Sequence, residues 1–397
     1  MNFKSWFKFG KGGKPNNVLD PPTVMNDRLS GNDVLTHSSM AMFKGCKRKY
    51  FYAYEMGWRP KQKSRALRLG SAYHEGLDAM ACHKSMEEVY QLIDGLYDGE
   101  IDKIAKASYT DRSEIDRTLL YESETVKSLL IGYQAAWGDS QIEIIESEKK
   151  YHLPIINPAS GRSARVFAQE GRRDRIGRLP DGRLALMEAK TTSEDMGPDS
   201  DYRLVLNIDQ QITKYFLAAR TEGIEIDTVM YDVTRKPSIK PSQVNVLDHG
   251  IKIVKDANGE RVFKKDGKPR MSGDKDKGYT LQTRPMTPEE WSAKLSADIA
   301  NRPTFYYARF EVPRLQSDLD EFQGELWDTA QDIHACKKTN RWYRTTGPTS
   351  CKKFGRLCEY HSICSGQCAV EAGVPAGFRQ AENAHEELIE PEENEVV

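Results

Sequence analysis

The sequence predicts an α/β fold, a small mixed sheet flanked by helices, and three observations carry that expectation. Apolar residues recur at helical spacing as far as residue 137, then alternate or run together from residue 142 onward. Between 142 and 234 the order reads strand, strand, strand, helix, strand, which suits neither a helical bundle nor an all-β sandwich. Finally, 38% of the 397 residues are hydrophobic against 29% charged, enough apolar material for a sizeable core.

Residues 1–35 form an extension, basic and aromatic at first (MNFKSWFKFGKGGKP) and then rich in Gly, Pro and Asn, expected to be flexible. It has no apolar h-region and no small-residue cleavage site, so it does not read as a secretory signal. No run of about 18 apolar residues is present to cross a membrane, and the protein is expected in the cytoplasm. Ser38 to Met56 has helical spacing and carries Phe43, Tyr50, Phe51, Tyr52 and Tyr54. After Pro60, Gly70 to Met80 reads as a second helix and about 85–137 as a long helical insertion with many i,i+4 charge pairs.

Ile142 to Leu153, Val166 to Leu179 and Arg183 to Lys190 read as strands, Asp209 to Arg220 as a helix, and Thr228 to Thr234 (TVMYDVT) as a buried strand. Residues 236–285 are a polar, basic insertion expected to hold a hairpin at Asn258-Gly259 or Asp266-Gly267. TPEEW from Thr287 is a capping box that opens a helix, and another helix runs from about Leu315 to Lys337. The main domain is expected to span 36–370. Residues 371–397, with eight Glu against one Arg, read as a disordered acidic tail. The net charge of −1 therefore hides a basic body, with Arg261 to Lys277 especially basic, compatible with a nucleic-acid partner.

The sharpest chemical signal is GRRDRIGRLPDGRLALMEAKTT, residues 171–192. Pro180-Asp181-Gly182 is turn chemistry between two strand-like runs, so the segment predicts a hairpin. Centred on Asp181, it sets Asp174 opposite Glu188, and the strand period puts Lys190 on the face of Glu188. Two carboxylates and an ammonium at one place can hold Mg²⁺ and orient a water. On a solvated strand such a trio would be surface charge; in the apolar run LALMEAK it needs another reason to exist.

These residues, with others in order along the chain, resemble the PD-(D/E)XK nucleases, in particular the RecB-like branch with the AddB-type iron–sulfur nucleases, known from recombination, repair and phage-type DNA processing. Gly70-Ser71-Ala72-Tyr73-His74 matches the motif that sets a His on a helix after a Gly. Asp174 matches the metal-binding Asp, Glu188 and Lys190 the ExK pair, and Gln211 and Tyr215 the Q-x-x-x-Y of the following helix. The resemblance covers most of residues 36–368. It implies a restriction-endonuclease-like core, a Mg²⁺ (or Mn²⁺) ion held by His74, Asp174 and Glu188, and catalysis helped by Lys190, Gln211 and Tyr215. Glu148, before the core strands, is expected to be structural.

Four of the seven cysteines, Cys351, Cys358, Cys364 and Cys368, lie close together near the C-terminus, which in a reducing compartment reads as metal or cluster ligation. The resemblance implies a [4Fe–4S] cluster on Cys46, Cys351, Cys358 and Cys364, closing a long loop around the nuclease core. Four thiolates equally suit Zn²⁺, and Cys368 could replace Cys46 in a purely local site. Cys82 and Cys336, alone on helical patterns, are expected to be buried.

The function expected is therefore metal-dependent DNA hydrolysis, as an exonuclease on DNA ends or single strands. The alternatives are an inactive iron–sulfur DNA-end binder or the nuclease module of a helicase complex. GKGGKP at Gly10 to Pro15 lacks Walker A spacing, so a helicase, or a single-strand-binding or recombination protein, would be a separate partner. Lys47, Arg48, Lys49 and Tyr50 are expected either to receive single-stranded DNA or to pack an aromatic helix face on the core.

Overall fold

The computed structural model describes residues 33–62, 64–107, 112–138, 140–353, 356–368 and 373–389. Residues 1–32 of the expected extension, and 371–372 and 390–397 of the expected tail, lie outside them. Contacts divide the chain into two compact units: Met1–Gln62 with Lys150–Arg172 and Gln316–Val397, and Lys63–Lys149 with Arg173–Leu315.

In the second unit the helices Arg65–Ala81, Met86–Ala107, Arg112–Trp137 and Pro288–Asn301 share one apolar core, which includes Tyr73, Leu77, Val126, Leu129, Trp291 and Leu295. Gly76 allows a close approach there: a Cβ at this position would run into the Leu130 side chain of a packed helix, which would have to shift. The predicted capping box at Thr287 is present, Thr287 and Glu290 each accepting the other's backbone N–H.

The sheet of this unit is mixed. Leu184–Thr192 runs parallel to Thr228–Arg235, with Glu188 beside Tyr231. Thr228–Arg235 is buried along nearly its whole length, as a central strand should be, because neighbours cover both edges. Its second neighbour, Tyr307–Val312, is antiparallel, and the sequence had not disclosed it. On the far side of Leu184–Thr192 lie Arg175–Arg178, the end of the strand Ser163–Arg178, antiparallel to it. A mixed sheet flanked by helices is consistent with a restriction-endonuclease-like core. The basic insertion forms short hairpins: both predicted turns close, Asp256 N–H on Glu260 O at 2.9 Å and Lys264 N–H on Lys268 O at 2.8 Å.

The first unit corrects several expectations. The helix foreseen over Ser38 to Met56 is broken: His37–Gly45 ends, Cys46 is extended at φ −165°, and Lys47–Tyr50 restarts and widens into a π-helical turn, Phe51–Glu55. Val34 and Leu35, assigned to the flexible extension, are buried and pair in parallel with Ala168 and Gln169. Residues 373–389 are likewise no solvated tail. Phe378–Gln380 pairs antiparallel with Trp58–Pro60, and His385 is buried with Nε2 2.9 Å from the Val34 carbonyl. The apolar Phe378, Ala381 and Ala384 drive this docking despite the glutamates around them. Cys336 is buried as expected, but Cys82 is exposed, because the Arg65–Ala81 helix ends there and leaves it as the C-cap. No helix among the described residues is long and apolar enough to cross a membrane.

Candidate active site and cysteine cavity

The Glu188 strand is apolar on both sides of its carboxylate, so it stays inside the sheet and carries Glu188 with it; the residue is 2% exposed. Oε1 accepts from Lys190 Nζ at 3.1 Å, whereas Oε2 is buried with no hydrogen-bond partner. Burial, and then the nearby Asp174 carboxylate, push Glu188 up to about 8 against the pull of Lys190.

The register is the one predicted from Pro180-Asp181-Gly182. Gly182 supplies the left-handed turn at φ 90°, and pairing runs from Arg178 with Leu184 to Arg175 with Met187. One step further, Asp174 Oδ2 accepts the Ala189 N–H at 3.2 Å, so a carboxylate side chain replaces a backbone partner beside Glu188. His74, on the Arg65–Ala81 helix, brings Nδ1 to 3.9 Å from Asp174 Oδ2. Burial lowers the His74 pKa against the pull of Asp174, which favours the neutral imidazole that a metal requires.

Lys190 Nζ is held by three oxygens: Glu188 Oε1 at 3.1 Å, Asp209 Oδ2 at 3.1 Å and Gln211 Oε1 at 3.0 Å. Burial alone would lower its pKa, but the charges of Glu188 and Asp209 outweigh burial and hold it above the ordinary lysine value. Gln211 Nε2 in turn donates to Tyr215 OH at 3.1 Å, one helical turn on. The structure thus brings His74, Asp174, Glu188, Lys190, Gln211 and Tyr215 into one linked cluster.

Asp209 is a member the sequence reading missed. It caps the Gln210–Thr221 helix, Oδ1 accepting the Gln211 N–H at 2.9 Å, while Oδ2 reaches Lys190. Its place just before an amphipathic run was an N-cap signal; its reach to a strand is a tertiary contact with no local signature. Asp78, one turn after His74, also escaped notice. It lies 3.5 Å from Arg175 Nη2, and burial raises its carboxyl to about 6. Glu148, expected to be structural, lies beside Asp78 and sits in the left-handed region at φ 52°.

The second cluster lies within the first unit. Cys46, Cys351, Cys358 and Cys364 line one cavity of about 190 Å³. The break at Cys46 makes this possible, since the extended residue leaves the helix line while the Thr345 N–H bonds its Sγ at 3.5 Å. Burial raises the Cys358 and Cys364 thiols; Arg344 and Arg48, on the same cavity wall, pull Cys364 the other way and would favour thiolate. As the side chains stand, no three of His, Cys, Asp and Glu among the described residues close into a ligand cage.

The four residues for which DNA contact and core packing both stood open have partners within the fold. Tyr50 is 1% exposed and stacks between Tyr54 and Trp342, so no base can reach it. Lys47 pairs with Asp332 at 2.9 Å and Lys49 with Glu359 at 2.9 Å. Arg48 donates to the Trp342 carbonyl at 2.6 Å and lines the cysteine cavity. The aromatic helix face packs on the core, and Phe51, Tyr52 and Tyr54 of the π-helical turn are buried as well.

Among solved structures, a candidate exonuclease from Eubacterium rectale is similar at 10% identity and a TM-score of 0.34, over 85% of this chain and 97% of that one. The protein SSO0001 is similar at 12% identity and a TM-score of 0.22, over 68% of this chain and 76% of the other. No curated protein matches. The sequence model of the PD-(D/E)XK nuclease superfamily matches residues 34–365, a span that includes the carboxylate–lysine cluster and all four cavity cysteines. By that match, over most of its length, the chain belongs to the PD-(D/E)XK nuclease superfamily.

Proposed function

We propose that the protein is a divalent-metal-dependent deoxyribonuclease acting on DNA ends or single strands in the cytoplasm. The observation that carries the reading is Glu188: a nearly buried carboxyl with one oxygen unpartnered, beside a second carboxylate and a lysine. Leaving such a group unpaired costs stability, and a cation would complete it. Asp174, Glu188 and His74 offer hard oxygens and one imidazole nitrogen, a donor set that fits Mg²⁺ or Mn²⁺. Bound there, the metal would polarise the scissile phosphate and lower the pKa of a coordinated water.

The chain's own residues do the rest. Lys190, kept protonated by Glu188 and Asp209, presents Nζ to the negative charge that grows on the phosphate during in-line attack. Gln211 limits the rotation of Lys190, and Tyr215 limits that of Gln211. An inactive DNA-binding relative would need none of these links.

The cysteine cavity is proposed to hold a [4Fe–4S] cluster. Four thiols around one space, with Arg48 and Arg344 on its wall, support an anionic thiolate centre. The lining contains Cys46 and not Cys368, which favours the long-range ligand set over the local zinc alternative. Strand separation would fall to a partner such as a helicase. The test is digestion of end-labelled linear DNA and closed circular DNA with Mg²⁺. Loss of linear DNA alone, blocked by EDTA, is expected; cleavage of neither would overturn the nuclease reading.

A further inference from the structure

We propose that the hairpin arm at Val254–Arg270 in the basic insertion is a docking surface for single-stranded DNA, with Phe263 stacking on a base and Lys264, Lys265 and Lys268 facing phosphates. The inference rests on the nuclease reading and assigns that enzyme its substrate-holding surface.

The arm is built to be rigid. Val254 is 1% exposed and anchors its root, while Val262 N–H bonds Val254 O at 2.9 Å and Arg270 N–H bonds Val262 O at 3.1 Å. The Asp256–Glu260 and Lys264–Lys268 turns close its ends, with Gly259 at φ 84° and Gly267 at φ 76° supplying the left-handed positions. Arg261 is tied to Asp248 and lies over the Phe263 ring, 5.8 Å from its centroid.

What the arm presents follows from charge. Lys264, Lys265 and Lys268 are exposed and form no ion pair among the described residues. The carboxylates nearby are differently employed: Asp256 accepts from the Asn258 and Glu260 N–H groups, and Asp266 accepts from the Lys268 N–H. Asp266, between the lysines, and Glu260, at the opposite turn, are exposed acids. Residues 264–268 therefore carry three ammonium groups against one carboxylate, an excess of positive charge with no ion pair among the described residues, available to an outside anion.

Phe263 is next to them in sequence and 52% exposed, so that with Arg261 over its ring it still presents an aromatic surface to solvent. An aromatic face next to unpaired cations matches a single strand, whose bases offer π-faces and whose backbone offers phosphates; in a duplex the bases are already stacked. A fixed hairpin lowers the ordering cost of binding such a ligand.

The test is fluorescence anisotropy of a labelled oligothymidylate with the full chain in EDTA, at several salt concentrations. Replacing Lys264, Lys265 and Lys268 together by Ala should weaken binding and lower the slope of log affinity against log salt by about 2. Phe263→Ala should weaken binding at least about fivefold with the slope unchanged. Thermal melting should be unaffected in both, since every altered side chain is exposed. Wild-type affinity and slope in the triple variant would overturn the proposal, as would an equal loss on a blunt duplex of matched length. A wild-type chain that neither binds nor cuts DNA would instead bring down the nuclease reading beneath it.

Discussion

Glu188 shows how a residue can work against stability and for chemistry at once. Its carboxyl sits in the sheet at 2% exposure with Oε2 unpartnered, and the fold gains nothing from that atom. Glu188→Gln removes the charge while retaining an oxygen for Lys190. We expect it to melt at or above the wild-type temperature in EDTA, yet to cut DNA at least about a hundredfold more slowly. A variant that melts lower and still cuts would mean that Glu188 is structural. Asp209 allows a finer separation. Asn at this position still caps the helix through its side-chain oxygen but loses the charge held 3.1 Å from Lys190. Asp209→Asn should therefore lower kcat about tenfold with KM little changed, while Asp209→Ala should also lose about 1 kcal/mol of stability from the missing cap. Equal stability loss in the two, with kcat intact, would reduce Asp209 to a cap.

At the scale of elements, local chemistry was legible and long-range chemistry was not. Pro180-Asp181-Gly182 states its turn in the sequence, and the register that follows sets Asp174 beside Glu188. The strand Tyr307–Val312 is six residues long and draws its hydrogen bonds from Thr228–Arg235, more than seventy positions earlier, so no local pattern marks it. The break at Cys46 was equally hidden, because apolar spacing continues through it. That break also gives the cysteine cavity its upstream wall, and it makes the cluster proposal testable at this scale. Cys46→Ser should lose iron and the brown colour and melt lower, whereas Cys82→Ser, exposed on a helix cap, should change neither. Iron retained in Cys46→Ser, with loss in Cys368→Ser, would transfer the site to the local set.

For the molecule as a whole, composition misled where it was averaged over too long a stretch. Eight glutamates made 371–397 read as solvated, yet Phe378, Ala381 and Ala384 among them are buried, and the paired strand Phe378–Gln380 belongs to the fold. The aromatics of 50–54, for which a nucleic-acid entry and a packed helix face both stood open in the sequence, are core. Exposure is decided by packing partners, which a single sequence does not display. The order of the motifs did not depend on these readings, because it rests on residue types whose chemistry is narrow: a carboxylate in an apolar strand, a lysine two residues on, and a histidine on a helix. The central claim, that this cluster is a metal site serving hydrolysis, is tested most directly by calorimetric titration of Mn²⁺ into the EDTA-stripped protein and its Asp174→Asn and Glu188→Gln variants. Saturable binding to the wild type, weakened at least about tenfold in both variants, is the predicted result; the same affinity in all three would place the metal elsewhere and contradict the account.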